Sequence, residues 1–179
     1  MITDVNIAAN QALGSGSNIF SFDGLDADSP VHDGALATAS FTGSTQNYPN
    51  NMLDGDEATT WTNAYSRGAS VLLPANSASR KSEYVEFFWD EAKVLNQVSL
   101  SFVTNSSKVA LPSVLEVQYW NGDAWVAVED QVTTLASESN APTVMRFETV
   151  YTDRIRVYME NATPYSSRGN IEISEVKVE

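Results

Sequence analysis

Residues 82–102 read SEYVEFFWDEAKVLNQVSLSF, and this stretch decides the fold class. Val85, Phe87 and Trp89 occupy every second position, and apolar residues recur at every second position again towards residue 102. Side chains of a β-strand point alternately to its two faces, so this period of two predicts strands with one buried face. No segment keeps apolar residues at helical spacing for three turns. The sequence therefore predicts an all-β protein.

The clearest local prediction is a β-hairpin over residues 115–129, LEVQYWNGDAWVAVE. Asn121 and Gly122 separate two strand-like segments, and this dipeptide readily supplies the positive φ angles that a tight hairpin turn requires. Trp120 and Trp125 flank the turn, where we expect them to cover each other across the strands rather than stack on a ligand.

Further strand-like segments continue to the end of the chain, as in RIRVYME at 154–160. Several short strands separated by turn residues predict a β-sandwich or jelly roll. Residues 12–34 are rich in Gly, Ser and Asp, which favours a long surface loop or partial edge segment. No repeat or linker divides the chain, so residues 1–179 are interpreted as a single domain.

The overall composition excludes several classes of partner. The 179 residues contain 10 Lys and Arg against 23 Asp and Glu, a net charge of −13. Such a chain repels nucleic acid and anionic membrane surfaces. It has no apolar run of about 18 residues, so no membrane insertion is expected. The chain begins without a signal-peptide pattern, and we expect it to be a piece of a longer secreted protein.

The sequence also carries no recognisable catalytic motif. Cysteine is absent, which removes disulfides and thiolate nucleophiles, and His32 is the only histidine. The chain contains no nucleophile elbow, zinc-protease helix or phosphate loop. A glycosidase needs two carboxylates at a fixed separation, but 23 acidic residues offer too many pairs for any one to be informative. We therefore expect a binding protein rather than an enzyme.

One acidic segment, MLDGDEATTW at residues 52–61, is a candidate metal loop. Calcium binds six to eight oxygen ligands, and an Asp-Gly-Asp turn followed by Thr59 can supply several of them. An EF-hand counted from Asp54 is excluded, because it would place Thr59 at the glycine position and Tyr65 at the glutamate position. From spacing alone, an Asp-Gly turn that caps a helix is an equally good interpretation.

Residues 53–61, LDGDEATTW, resemble the calcium loop of coagulation-factor type C (discoidin) domains and of family 32 carbohydrate-binding modules. ALATASFTGS (35–44), residues 82–102 and NIEISEVKVE (170–179) resemble other strands of that family, in the family's order. The resemblance implies a galactose-binding-like β-sandwich, an eight-stranded jelly roll, over residues 35–179. Residues 1–34 would then form an N-terminal strand plus a loop insertion.

The same resemblance implies a structural Ca²⁺ that ties the early loop to the last strand. For Glu175 the alternative is a solvated edge carboxylate, but the alternation falters around it, which favours a bound role. Carbonyl ligands are expected from Leu53 or Met52 and from Ser174. The full set of expected ligands is Leu53, Asp54, Asp56, Thr59, Ser174 and Glu175.

A closer resemblance implies a role for the whole chain. TWTNAYSRGASVLLPAN and LPSVLEVQYWNGDAWVAV are similar to modules appended to large Gram-positive cell-surface glycosidases, including β-galactosidases. This implies a non-catalytic module that targets a covalently linked glycoside hydrolase to galactose-containing or related glycans, outside the cell or attached to the cell wall. A discoidin-type adhesion or protein-binding domain and a structural spacer remain alternatives.

Ligand-binding residues in the family lie on loops, which here span residues 62–68, 104–112 and 162–170. Tyrosines could stack on sugar rings while Arg, Lys and Asn reach hydroxyls; a solvated loop side chain is the alternative for each. Trp61 either packs beneath the calcium loop or reaches the ligand. The usual galactose pattern of one His and one Arg is missing, which leaves the sugar open. The candidates are Trp61, Asn63, Tyr65, Arg67, Asn105, Lys108, Tyr165, Arg168 and Asn170.

Overall fold

The computed structural model describes residues 34–44, 46–64, 80–166 and 168–179. Over these residues the chain forms eight β-strands and one 3₁₀ helix, which confirms the all-β prediction. The strands are β1 (Leu36–Ala39), β2 (Trp61–Thr62), β3 (Ser82–Phe102), β4 (Pro112–Trp120), β5 (Trp125–Ala127), β6 (Val132–Thr134), β7 (Pro142–Asn161) and β8 (Glu172–Val178); the 3₁₀ helix is Pro49–Leu53.

Two long strands, β3 and β7, organise the molecule. They pair antiparallel along nearly their whole length, with register shifts between Phe88 and Lys93 and between Leu95 and Gln97. The first part of β3 also pairs with β1, whereas its last part pairs with β8. The two strands therefore pass from one layer of the fold to the other, and the irregularities mark the bend.

The remaining strands complete the two layers. β4 pairs with the last part of β7 and carries β5 on its other edge. β6 pairs with the first part of β7, and β2 pairs with β8. The segments that follow β1, β2, β3 and β7 lie at one end of the sandwich, which we call the rim. The bend in β3 and β7 lies at the opposite end.

The core confirms the period-two prediction. Phe87 in the first part of β3, Val98 in its last part, and Ile155 in β7 are fully buried in one continuous hydrophobic cluster. Side chains from both layers meet in that cluster, which the two faces of one flat sheet could not achieve.

The predicted hairpin between β4 and β5 is confirmed, with a different turn. Trp120 and Trp125 are cross-strand partners, and their rings meet edge to face with centroids 5.7 Å apart. Four residues connect the strands, and only Gly122 has a positive φ, of 104°. The expectation of a positive φ at Asn121 was wrong, because its side chain instead accepts hydrogen bonds from the N–H groups of Asp123 and Ala124.

The faltering alternation in the last strand has a structural cause. Glu175 pairs with Ser101, but the next pair along is Ile173 with Phe102, so Ser174 is an extra residue in β8. Such a bulge reverses the inside-outside phase of the strand. Ile173 and Val176 can therefore both face the core although they are three residues apart.

The interpretation of residues 1–34 as a strand plus a loop insertion lies outside the described residues, apart from Gly34. In the part of the chain that the structure describes, no helix has the length and apolarity to cross a bilayer.

The burial pattern predicts that two aromatic residues differ in how much they contribute to the free energy of unfolding. Phe87→Ala removes a fully buried ring and should lower the free energy of unfolding by about 3–5 kcal/mol. Tyr151→Ala, at a side chain that is 73% exposed, should change it by less than about 0.5 kcal/mol. Urea unfolding of both variants measures the difference, and equal effects would contradict this assignment of the core.

Candidate functional site

The acidic loop, residues 54–59, follows the 3₁₀ helix and is held by hydrogen bonds between its own residues. The Asp54 carboxylate accepts hydrogen bonds from the Asp56 N–H at 2.9 Å and from the Thr59 hydroxyl at 2.6 Å. The Asp56 carboxylate accepts one from the Ala58 N–H at 2.9 Å. Gly55 has a φ of 75°, a conformation that glycine adopts without strain. Residues 54–58 are exposed, so the carboxylates of the loop stand at the surface.

The last strand brings Glu175 to this loop. The pKa of Glu175 is raised to about 7, chiefly by burial and then by the negative charge of Asp54, while Glu57 and Asp56 contribute less. A hydrogen bond from the Gly55 backbone opposes the shift. Two regions 120 residues apart in sequence therefore lie side by side, with carboxylates close enough to repel each other.

The other expected calcium ligands lie in the same two elements. Leu53 is buried at the end of the 3₁₀ helix, and Ser174 is fully buried in β8 beside Glu175. Within the described residues, no group of three His, Cys, Asp or Glu side chains is close enough to hold a metal. A calcium shell built partly from carbonyl and hydroxyl oxygens does not require three such side chains.

A second link joins the loop to the last strand, and the sequence reasoning missed it. The Thr60 hydroxyl donates to the Glu172 carboxylate at 3.0 Å, and the next residue along, Trp61, pairs with Ile173. No sequence signal points to the hydrogen bond, because it depends on how β2 aligns with β8. It fixes the loop against β8 without any ion.

Two of the proposed sugar contacts are interior residues. Trp61 has no exposed surface, and its indole N–H donates to the carbonyl of Phe41 at 3.1 Å. Asn63 is also buried: its amide N–H donates to Glu83, and its side-chain carbonyl accepts from the Ile171 N–H at 2.8 Å. Burial argues against a direct sugar contact by either. Trp61 follows its alternative interpretation and packs in the core.

Glu83 is an unpredicted buried carboxylate below the rim, only 1% exposed. It accepts hydrogen bonds from the Ser40 hydroxyl and the Asn63 amide, and the Arg80 guanidinium lies 3.7 Å away. Burial raises its pKa, while the bond from Ser40, the charge of Arg80 and the bond from Asn63 partly offset the shift. In the sequence Glu83 continues the alternation of Val85 and Phe87, which indicates burial, but its partners Ser40 and Asn63 come from distant segments.

Two rim loops are joined by backbone hydrogen bonds. The Asn170 N–H donates to the Lys108 carbonyl at 3.2 Å, and the Ala110 N–H donates to the Asn170 carbonyl at 2.9 Å. Asn63 ties the chain after β2 to the same place through Ile171. The described parts of the three loops chosen from the sequence therefore meet at one rim. Asn170 is itself mostly buried and acts as the link between them.

The remaining candidates differ in accessibility. Tyr165 is 73% exposed and adopts a φ of 61°, which is uncommon for a tyrosine. Asn105, Lys108 and Arg168 are also exposed on the rim loops. Tyr65 and Arg67 lie outside the described residues. The described parts of the 104–112 and 162–170 loops thus present one exposed aromatic ring, Tyr165, together with cationic and amide side chains.

Comparison with solved structures identifies the architecture. A structure from the Streptococcus pneumoniae β-galactosidase BgaA matches with a TM-score of 0.63 and 16% identity, covering 81% of this chain and 96% of that one. The family 32 carbohydrate-binding module of Clostridium perfringens NanJ, in complex with galactose, matches with a TM-score of 0.58 and 14% identity, covering 80% and 92%. The chain has the fold of a family 32 carbohydrate-binding module.

A second C. perfringens structure, CpGH89CBM32-5 in complex with GalNAc-β-1,3-galactose, matches with a TM-score of 0.58 and 12% identity, covering 80% of this chain and 94% of that one. No family model and no curated protein sequence matches this chain. The β-sandwich that the sequence resemblance implied is therefore confirmed by the fold, at a level of identity that sequence comparison does not reach.

The raised pKa of Glu83 predicts how stability changes with pH. The folded protein holds this proton more tightly than the unfolded chain does. The contribution is therefore fully present below the ordinary pKa of 4.5 and is lost as the pH rises through the raised value. Glu83→Gln is isosteric and does not titrate. Wild type should lose stability relative to this variant as the pH rises above 4.5 towards neutrality.

Urea unfolding of both proteins across that range measures the effect. Glu175 titrates in both proteins, so its contribution cancels from the difference between them. A stability difference that stays constant with pH would contradict the assignment of a raised pKa to Glu83.

Proposed function

We propose that this chain is a non-catalytic carbohydrate-binding module, with its ligand on the rim loops. The observation that carries the proposal is the convergence of three loops, held together through Asn63 and Asn170, that display Tyr165, Lys108 and Arg168 at one end of the sandwich. The galactose and GalNAc-β-1,3-galactose complexes of structures with the same fold support it.

The chemistry of the exposed side chains suits a sugar. A tyrosine offers a flat apolar face to the C–H groups of a ring and a hydroxyl at its edge. Lys108 and Arg168 donate hydrogen bonds to ring hydroxyls, and Asn105 can donate or accept.

A structural calcium ion is the second part of the proposal. Asp54, Asp56 and Thr59 would supply side-chain oxygens from the loop, Glu175 would supply one from β8, and carbonyls of Leu53 and Ser174 would fill the shell. Clustering of carboxylates around a half-buried glutamate is unfavourable by itself, as the raised pKa of Glu175 indicates. A divalent cation would turn that repulsion into attraction and so stabilise the fold.

The setting that the sequence resemblance implies also belongs to the proposal. The chain would be one module of a larger glycoside hydrolase, outside the cell or attached to the cell wall. A covalently linked binding module raises the effective concentration of the enzyme at its substrate even when its own affinity is weak. Affinity in the micromolar to millimolar range is sufficient for this role.

Calcium should raise the melting temperature. At about 100 times the dissociation constant, a ligand of the folded state adds about 2.7 kcal/mol of stability, or roughly 5–10 °C for a domain of this size. Scanning calorimetry with calcium and with chelator measures the shift. Glu175→Gln should lose most of it, whereas Glu91→Gln, at an exposed site on the bend, should retain it. An identical transition with and without calcium in wild type would refute the metal site.

Sugar binding should depend on the exposed tyrosine of the rim. In titrations with the oligosaccharide that scores highest on a glycan array, Tyr165→Ala should weaken binding about fivefold or more. Tyr151→Ala is the matched control, because Tyr151 is also 73% exposed but lies on the bend at the opposite end. Binding to protein surfaces with no response to any glycan would favour the adhesion alternative, and no binding at all would favour a spacer.

A further inference from the structure

A cavity of about 190 Å³ opens between the 104–112 loop, which the sequence analysis named, and residues 136–138, which it did not. It lies where β3 ends, between the loop that leads to β4 and the connection between β6 and β7. Its apolar wall includes Phe102, Val109 and Leu111, and its polar groups include Thr104, Ser137 and Glu138.

The cavity shares a wall with the proposed ligand surface. Residues 109–111 line it on one flank, while the Ala110 N–H donates to the Asn170 carbonyl on the loop that carries Tyr165. A glycan whose end occupied the cavity could therefore continue across the rim. This geometry makes the cavity a neighbour of the proposed surface rather than a separate region of the molecule.

Hydrogen bonds hold the walls in place. The Asn140 N–H donates to the Phe102 carbonyl at 2.8 Å, and the Thr104 N–H donates to the Ser139 hydroxyl at 2.9 Å. The Ala136 N–H donates to the Thr143 hydroxyl at 3.1 Å. These contacts link the two sides of the cavity to each other and to β3, so its shape does not have to form when a ligand binds.

Two polar side chains that line the cavity have hydrogen-bonding groups that a ligand could use. Within the described residues, the hydroxyl of Ser137 and the carboxylate of Glu138 take part in no hydrogen bond or ion pair, and Glu138 is exposed. A carboxylate has two oxygens that can accept hydrogen bonds from two neighbouring hydroxyls. The adjacent apolar wall can cover the C–H groups of the same ring.

Size and charge restrict the ligand. Pockets for drug-sized molecules occupy about 300–1,000 Å³, so this cavity accepts one ring rather than a length of chain. The net charge of −13 and the carboxylate of Glu138 disfavour a uronic or sialic acid. We propose that the cavity binds one uncharged pyranose at the end of a glycan, with two adjacent hydroxyls donating to Glu138; this rests on the proposed carbohydrate-binding function.

Titration of the ¹⁵N-labelled chain with galactose, N-acetylgalactosamine, glucose and N-acetylglucosamine tests the proposal, with glucuronic acid as the charged probe. We expect amide shifts at Thr104, Ser137 and Glu138 for at least one neutral sugar. Glu138→Ala should weaken its binding about tenfold or more, and Ala136→Leu should block the cavity with little change in melting temperature. Glu91→Ala, an exposed acid on the bend, is the control.

The outcomes separate the two proposals. Unchanged affinity in both cavity variants, with shifts confined to residues 165–168, would overturn the cavity while leaving carbohydrate binding intact. Tighter binding of glucuronic acid than of every neutral sugar would overturn the assignment of an uncharged ring. A wild-type chain that binds none of these sugars and no member of a broad glycan array would overturn both the cavity and the proposed function.

Discussion

The pairing of β3 with β7 is the constraint on which the rest of the structure depends. Both strands run through both layers and bend at the same place, so the pairing sets the angle and the separation of the layers. Every other strand except β2 and β5 pairs directly with one of these two. Because each long strand begins and ends at the same end of the sandwich, the loops that follow β3 and β7 both lie at the rim. The location of the proposed ligand surface is a consequence of this pairing.

Buried polar groups give the rim its shape. Burial disfavours the charged form of Glu83, yet its carboxylate accepts hydrogen bonds from Ser40 and Asn63. The side chain of Asn63 in turn accepts one from the Ile171 backbone. Removal of one member would leave another buried without its partner, which costs more than the bond itself contributes. The network therefore restricts the loops to one arrangement.

The acidic loop and the rim represent two different uses of surface charge. At the loop, the pKa of Glu175 is raised to about 7, chiefly by burial and then by the negative charge of Asp54, so negative charge is concentrated beside a half-buried carboxyl group. At the rim, Lys108 and Arg168 add positive charge to a protein whose net charge is −13. The first arrangement attracts cations, whereas the second supplies hydrogen-bond donors.

The sequence by itself determined the strands, because the side-chain alternation at Phe87, Val98 and Ile155 is a local property that each segment carries. It also pointed to the acidic loop and to the phase shift around Glu175. Only the tertiary structure decided that Trp61 and Asn63 lie inside while Tyr165 lies outside, that Ser40 and Asn63 hydrogen-bond to Glu83, and that a cavity forms beside Glu138. Those outcomes depend on which loops meet after the two layers pack, and such contacts between distant segments leave no periodic trace in the chain.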